Sequence, residues 1–138
     1  MLHKREEGTM AKKVREITVV TPNKVGMLAK VSGVLAAGRV NMAALSAYGA
    51  GAKAYFRIVA NDTKKAMRVL KAAKLRFSEK DIVAVTLKNK VGQAEALAKK
   101  LARTGVNISY CYGSTGPGSS TLFLFATKNL KKALSALR

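Results

Sequence analysis

The stretch Asn23-Lys24-Val25-Gly26 (NKVG) returns 66 residues later as Asn89-Lys90-Val91-Gly92. The same spacing relates two further pairs of segments: Leu35-Ala36 to Leu101-Ala102, and Val40-Asn41-Met42 to Val106-Asn107-Ile108. Beyond a glycine-rich stretch the spacing becomes 67, which one inserted loop residue explains. A repeat of this length indicates two copies of one structural unit.

Each copy opens with a strand and continues as a helix. The segments Glu16 to Thr21 and Asp81 to Leu87 are rich in β-branched residues, which favour strands. After a polar turn, apolar residues recur at helical spacing: Leu28, Val31, Val34 and Leu35, then Ala94, Leu97, Ala98 and Leu101. Glycines at Gly38 and Gly105 predict the helix ends, because glycine accepts the left-handed conformation.

The rest of each copy predicts two strands joined by a glycine-rich hairpin, followed by a second helix. Strands are predicted from Asn41 and Asn107 and at residues 54–60 and 121–126, hairpins at residues 49–51 and 113–120, and helices near residues 62–74 and 129–137. With right-handed crossovers, this order predicts a ferredoxin-like unit, an antiparallel sheet with helices on one face. The fold class is therefore α+β, as two tandem ferredoxin-like βαββα(β) units.

The domain boundaries follow from the repeat. We expect residues 14–79 to form the first domain and residues 80–138 the second, which lacks its own C-terminal strand because the chain ends beside its last helix. Residues 1–13 are expected to be an N-terminal extension that is disordered. The alternative for its first nine residues is a mis-assigned start, with translation beginning at Met10. Both faces of the strand at residues 121–126 are apolar, so we expect the other copy or a second chain to cover it, and we expect a homodimer.

Composition argues against several classes of function. One cysteine and one histidine allow neither an internal disulfide nor a Cys/His zinc site, and no cofactor is expected. No apolar stretch reaches the roughly 20 residues that span a bilayer, so we expect a cytoplasmic protein. The seven acidic residues form no spaced catalytic pair, so we expect no enzymatic activity.

The turns and strand entries resemble those of the ACT domain, a small βαββαβ module that senses amino acids and other metabolites in biosynthetic enzymes and stand-alone regulators. The resemblance covers residues 14–137 as a tandem pair, and rests on residues 21–28 with 38–42 and on residues 89–94 with 104–108. Two positions depart from the family pattern in both copies. The usual acidic residue is Asn23 or Asn89, and the usual proline before the glycine is Val25 or Val91.

The resemblance implies a non-catalytic regulatory protein that binds an amino acid at an interface between ACT-like modules. Carried over residue by residue, the ligand-binding positions are Asn23, Gly26, Met27, Leu28, Asn41 and Met42 in the first copy, and Asn89, Gly92, Gln93, Ala94, Asn107 and Ile108 in the second. Physical chemistry agrees in part. N–H groups at the helix starts beside Gly26 and Gly92 can hold a carboxylate, and asparagine offers both a donor and an acceptor to a zwitterion.

The formal net charge of +19 leaves two alternatives open. One is an RNA-binding protein, because the RRM has the same strand order and a polyanion suits a basic chain. It is disfavoured because the first strand of each copy has no aromatic residue and the RRM signature of the third strand is absent. The other is an assembly module that docks on an acidic partner enzyme and binds no metabolite.

Overall fold

The computed structural model describes residues 10–114 and 118–138, which form six strands and four helices. In chain order the elements are β1 (Met10–Pro22), α1 (Met27–Ala37), β2 (Met42–Ala50), β3 (Lys53–Ala60), α2 (Thr63–Ala72), β4 (Arg76–Lys88), α3 (Gln93–Arg103), β5 (Tyr110–Ser114), β6 (Ser120–Ala126) and α4 (Leu130–Leu137). The α+β fold class predicted from the repeat is confirmed. Residues 1–9 and 115–117, which include part of the predicted hairpin at 113–120, lie outside the described residues.

The described residues divide into two compact units. The first unit is Arg15–Lys80, and the second combines Asp81–Arg138 with residues 10–14. The boundaries fall inside β1 and β4, so each of these long strands contributes to both units. The expected extension at residues 1–13 therefore needs a correction, because residues 10–13 are part of β1.

The first unit has the strand order β2-β3-β1-β4, in which β4 contributes its opening residues 76–80. Strands β1 and β3 are antiparallel, with Val19 opposite Phe56, and β2 pairs antiparallel with the other edge of β3. An ion pair between Arg15 and Glu79 joins β1 to the fourth strand. This arrangement is the complete ferredoxin-like order, because the fourth strand lies beside the first.

The core of the first unit lies between the sheet and its two helices. Helix α1 buries Met27, Val31 and Leu35, which are four residues apart and share one face. Burial of each such side chain contributes roughly 1.5–3 kcal/mol. The prediction that Leu28 belongs to this face was wrong, because Leu28 points away from it and is 50% exposed.

The second unit has the same order with its fourth strand supplied from the other end of the chain. Strands β4, β6 and β5 are antiparallel neighbours, with Val85 opposite Phe123. Residues 10–14 of β1 belong to this unit, where Ala11 packs against the core and Lys13 lies 3.9 Å from Asp81. Residues 10–14, which precede the first copy in the sequence, thus provide the fourth strand that the second copy lacks.

The two glycines predicted to end the first helix of each copy behave differently. Gly105 takes the left-handed conformation with φ 75°, but in the first copy Arg39 does so, with φ 60°, while Gly38 has φ −83°. Gly38 is constrained by close packing instead, since a Cβ there would lie 2.5 Å from Cγ1 of Val69 on α2. Glycine at this position allows α1 and α2 to approach each other.

We predict that Gly38→Ala lowers the free energy of unfolding by about 1–3 kcal/mol, because the added methyl group forces Val69 or helix α2 to move. Gly33→Ala is the matched control, since Gly33 lies within α1 and a Cβ there meets no atom within 4 Å. That control should stabilise the protein by about 0.5–1 kcal/mol. Urea denaturation measures both, and equal effects of the two substitutions would contradict the packing argument.

Candidate functional site

The turns before α1 and α3 have the same backbone geometry in both units. Gly26 and Gly92 occupy the N-cap positions with φ 93° and 89°, a left-handed conformation that other residues rarely adopt. Neither helix start has a side-chain cap, and a Cβ at either glycine would meet no atom within 4 Å. The space beside both glycines is therefore open to a ligand, and the first N–H groups of a helix have no partner within the helix. At the start of α3 the Gln93 N–H donates to the Lys90 carbonyl at 3.4 Å, which leaves the following N–H groups of the first turn for an anion.

Asn23 and Asn89 tie these turns to the hairpins of their own units. The side-chain amide of Asn23 donates to the Gly51 carbonyl at 3.1 Å, and that of Asn89 donates to the Gly118 carbonyl at 3.0 Å. In each case the backbone N–H of the asparagine also donates to the next carbonyl of the hairpin, at 2.9 Å. A carboxylate has no N–H to donate, which gives a physical reason for asparagine at these positions.

The remaining predicted residues are distributed over several environments. Asn41 is exposed, and its backbone exchanges hydrogen bonds with Asn61 at the end of β3. Asn107 is exposed as well, whereas Met42 and Ile108 pack against the cores of their units. None of these four residues lines a cavity described below.

A cavity of about 380 Å³ in the second unit brings three predicted residues together: Asn89, Gln93 and Ala94. It lies between the start of α3 and the β5–β6 hairpin. Its other described lining residues are basic (Lys88, Lys90), hydroxyl-bearing or small (Ser114, Thr121, Gly113), and apolar (Leu87, Leu122, Phe123). We name it the α3 cleft. Gly92 and Gln93 also line a neighbouring cavity of about 330 Å³ against α3 and Leu137.

The first unit does not repeat this arrangement. Its cavity of about 500 Å³ includes Met27 but none of Asn23, Gly26, Leu28, Asn41 and Met42. Sequence reasoning missed the hairpin side of the α3 cleft, which includes Ser114, Thr121 and Phe123. The glycine-rich stretch was a signal for it, because β6 begins after that stretch with Ser120 opposite Lys88, at the end of β4 and beside the turn before α3.

The sheet face opposite the helices differs between the units. In the first unit Arg57 lies 3.7 Å from the fully buried Glu16 and donates to Thr18 Oγ1 at 3.3 Å and to the Tyr48 hydroxyl at 2.7 Å. Tyr48 also stacks on Tyr55, with ring centroids 5.4 Å apart. In the second unit the aligned residues are apolar and buried: Ile82, Ala84 and Leu124.

This arrangement bears on the RNA-binding alternative. Phe56 and Phe125 are buried in the two cores, and Phe123 packs against the second core. Bases stack on aromatic rings exposed on the open face of an RRM sheet. These three phenylalanines are therefore unsuited to base stacking, and the face of β1 opposite the helices has Glu16 and Thr18, which are both buried.

Within the described ranges, 10–114 and 118–138, no group of three or more His, Cys, Asp or Glu side chains is placed to hold a metal ion. No helix in the part of the chain that the structure describes has the length and apolar character needed to cross a membrane.

Comparison with known proteins gives one family and several similar structures. Residues 12–137 match the family model of the ACT domain pair. A protein from Bacteroides thetaiotaomicron is 24% identical, with a TM-score of 0.86 over 92% of this chain and 88% of that chain. Regulatory subunits of aspartate kinase from Thermus thermophilus, ligand-free, and Thermus flavus are each 18% identical over 97% of both chains, with TM-scores of 0.68 and 0.65. No curated protein sequence matches the chain.

We predict that Asn89→Asp lowers the free energy of unfolding by about 0.5–1.5 kcal/mol, because a carboxylate oxygen would replace the donor that faces the Gly118 carbonyl. The substitution is nearly isosteric, so the loss reports the hydrogen bond and not a change in volume. Asn107→Asp is the control, since Asn107 is exposed like Asn89 but its side chain has no hydrogen bond to the residues that the structure describes. Denaturant titrations should show a loss for Asn89→Asp alone, and equal stability of the two variants would argue against the link to the hairpin.

Arg57→Leu should destabilise the protein by about 3 kcal/mol, because it leaves the buried Glu16 carboxylate without its cationic neighbour. Adding Glu16→Ile should recover at least half of that loss, since the double variant reproduces the Ile82 and Leu124 pair of the second unit. Thermal unfolding of the wild type, of both single variants and of the double variant forms a double-mutant cycle. This cycle gives the interaction free energy between Glu16 and Arg57. Additive losses would rule out an energetic link between Glu16 and Arg57.

Proposed function

Because this chain belongs to the ACT domain pair family, we propose that it is a regulatory protein that binds an amino acid and catalyses no reaction itself. Two observations support the proposal. Structures similar to this chain include regulatory subunits of aspartate kinase, and the second unit contains the α3 cleft. The α3 cleft is the main support, since it joins the predicted turn residues Asn89, Gln93 and Ala94 in one cavity.

The α3 cleft has groups suited to each part of an amino acid. The N–H groups at the start of α3 and the ammonium of Lys90 are donors for a carboxylate. The hydroxyls of Ser114 and Thr121 can accept from an ammonium group. Leu87, Leu122 and Phe123 form an apolar wall for the side chain, and about 380 Å³ lies within the usual range for small-molecule sites.

The charge of the α3 cleft favours some amino acids over others. Its described lining contains two lysines, Lys88 and Lys90, and no carboxylate. A basic ligand side chain would meet like charges there, whereas a second carboxylate would meet opposite ones. We therefore propose an acidic or neutral amino acid as the effector.

The proposal favours the second unit as the amino-acid site. The first unit has a larger cavity, but only Met27 among its predicted residues lines it. In this proposal the first unit contributes to assembly, as a homodimer or with an acidic partner enzyme in the cytoplasm. The charge of +19 supports an acidic partner, because complementary charge accelerates association.

Ala94→Glu should abolish stabilisation by the effector, because it adds bulk and a negative charge to the wall of the α3 cleft. Leu28→Glu is the matched control, since Leu28 occupies the equivalent first-turn position of α1, is exposed, and lines no cavity described above. The wild-type protein and both variants are heated with each amino acid in turn. A ligand present at 100 times its Kd should stabilise the wild type by about 2.7 kcal/mol.

The expected result is a rise in Tm for acidic or neutral amino acids that persists in Leu28→Glu and is lost in Ala94→Glu. Stabilisation lost only in Leu28→Glu would move the site to the first unit and refute the α3 cleft. If no amino acid stabilises the wild type while RNA does so in a salt-dependent way, the RNA-binding alternative replaces the proposal.

A further inference from the structure

The cavity of the first unit has basic residues in its lining that the proposed amino-acid site does not use. It has a volume of about 500 Å³ and is lined by four basic residues: Lys30, Lys53, Lys74 and Arg76. The other lining residues are apolar or uncharged: Val20, Thr21, Pro22, Met27, Ala52 and Leu75. We name it the basic cavity.

The four cations reach the basic cavity from separate parts of the first unit. Lys30 lies one turn into α1, and Lys53 begins β3, where it pairs with Pro22 of β1. Lys74 lies in the turn after α2, and Arg76 begins β4. The folded chain therefore gathers around one cavity basic residues from three separate stretches of sequence: Lys30, Lys53, and the nearby pair Lys74 and Arg76.

No carboxylate of the first unit neutralises this cluster. Its three acidic residues are engaged elsewhere: Glu16 lies beside Arg57, Asp62 accepts from the backbone N–H of Lys65, and Glu79 pairs with Arg15. No Asp or Glu belongs to the described lining. Four like charges around one cavity repel each other, and an anion bound among them removes that repulsion.

We propose that the basic cavity binds a phosphorylated small molecule. A phosphoryl group has about two negative charges near neutral pH and three acceptor oxygens, which suits a cavity lined by four basic residues and no acidic one. The guanidinium of Arg76 can contact two of these oxygens at once, while lysines act as point charges. The apolar residues Val20, Met27 and Leu75 provide a floor for the carbon part of the ligand.

This second site is separate from the proposed amino-acid site. The two cavities belong to different units and share no lining residue. At the equivalent place in the second unit, Leu87, Gln93 and Ala96 stand where the basic cavity has Thr21, Met27 and Lys30, and that cavity also includes the acidic Glu95. The cavity of the second unit also has Lys99, Lys100 and Arg103, so among the cavities described only that of the first unit combines four basic residues with no acidic one.

The backbone at Lys74 allows a test that does not weaken the fold. Lys74 has φ 61° and Arg39 has φ 60°, and both end helices of the first unit in the left-handed conformation that glycine adopts most easily. Lys74→Gly and Arg39→Gly each remove one positive charge and relieve the same backbone strain. Only Lys74 lines the basic cavity, so Arg39→Gly is a matched control.

Isothermal titration calorimetry of the full chain with inorganic pyrophosphate, at constant ionic strength, tests the proposal. We expect Lys74→Gly to raise the Kd about fivefold and Lys74→Gly with Lys30→Ala to raise it tenfold or more, while Arg39→Gly leaves it unchanged. Ala94→Glu should also leave the Kd for pyrophosphate unchanged, because Ala94 lies in the α3 cleft. Sulfate titrated under the same conditions should bind more weakly.

Three results would overturn the proposal. The first is an absence of pyrophosphate binding, or binding no tighter than that of sulfate. The second is an equal loss of affinity in Lys74→Gly and Arg39→Gly, which would indicate attraction by net charge alone. The third is tight binding of an RNA oligonucleotide or of polyglutamate by a protein that does not bind pyrophosphate, which would assign the cations to a macromolecular partner.

Discussion

The fourth strand of each unit is the constraint on which the rest of the structure depends. Strand β1 needs hydrogen-bonding partners for its backbone, and in the first unit residues 76–80 of β4 stand beside it. The second copy ends with α4, and its fourth strand comes from residues 10–14. Side chains of both fourth strands reach the cores: Phe77 of β4 packs against the core of the first unit, and Ala11 of β1 packs against that of the second.

The sheet holds the turn and the hairpin of each unit close together. Asn23 and Asn89 then join turn to hairpin with the same pair of hydrogen bonds. Gly26 and Gly92 supply the left-handed bend that starts each helix beyond the turn. In the second unit this leaves the α3 cleft between helix and hairpin, while in the first unit the open space lies between α1 and the start of β4.

The two repeats share one fold but differ in where their charged side chains lie. The first unit has a buried acid at Glu16 and basic residues around its cavity, and the second has apolar Ile82 at the position of Glu16. Two copies of one fold can therefore bind different ligands, because cavity lining depends on side chains that the common backbone does not specify. With an amino-acid site in one unit and a phosphate site in the other, this protein would respond to two different ligands.

Sequence alone determined the repeat, the order of its elements and the positions of the NKVG turns before the helices, because these depend on local periodicity and on the backbone freedom of glycine. It did not reveal that residues 10–14 complete the second unit, since strand pairing between distant segments leaves no local pattern. It also placed Leu28 in the core and grouped Asn41 and Asn107 with the turn residues, whereas the structure leaves all three exposed. Only the tertiary structure decided which basic residues line one cavity, because packing brings together three separate stretches of the chain that contain Lys30, Lys53, and Lys74 with Arg76.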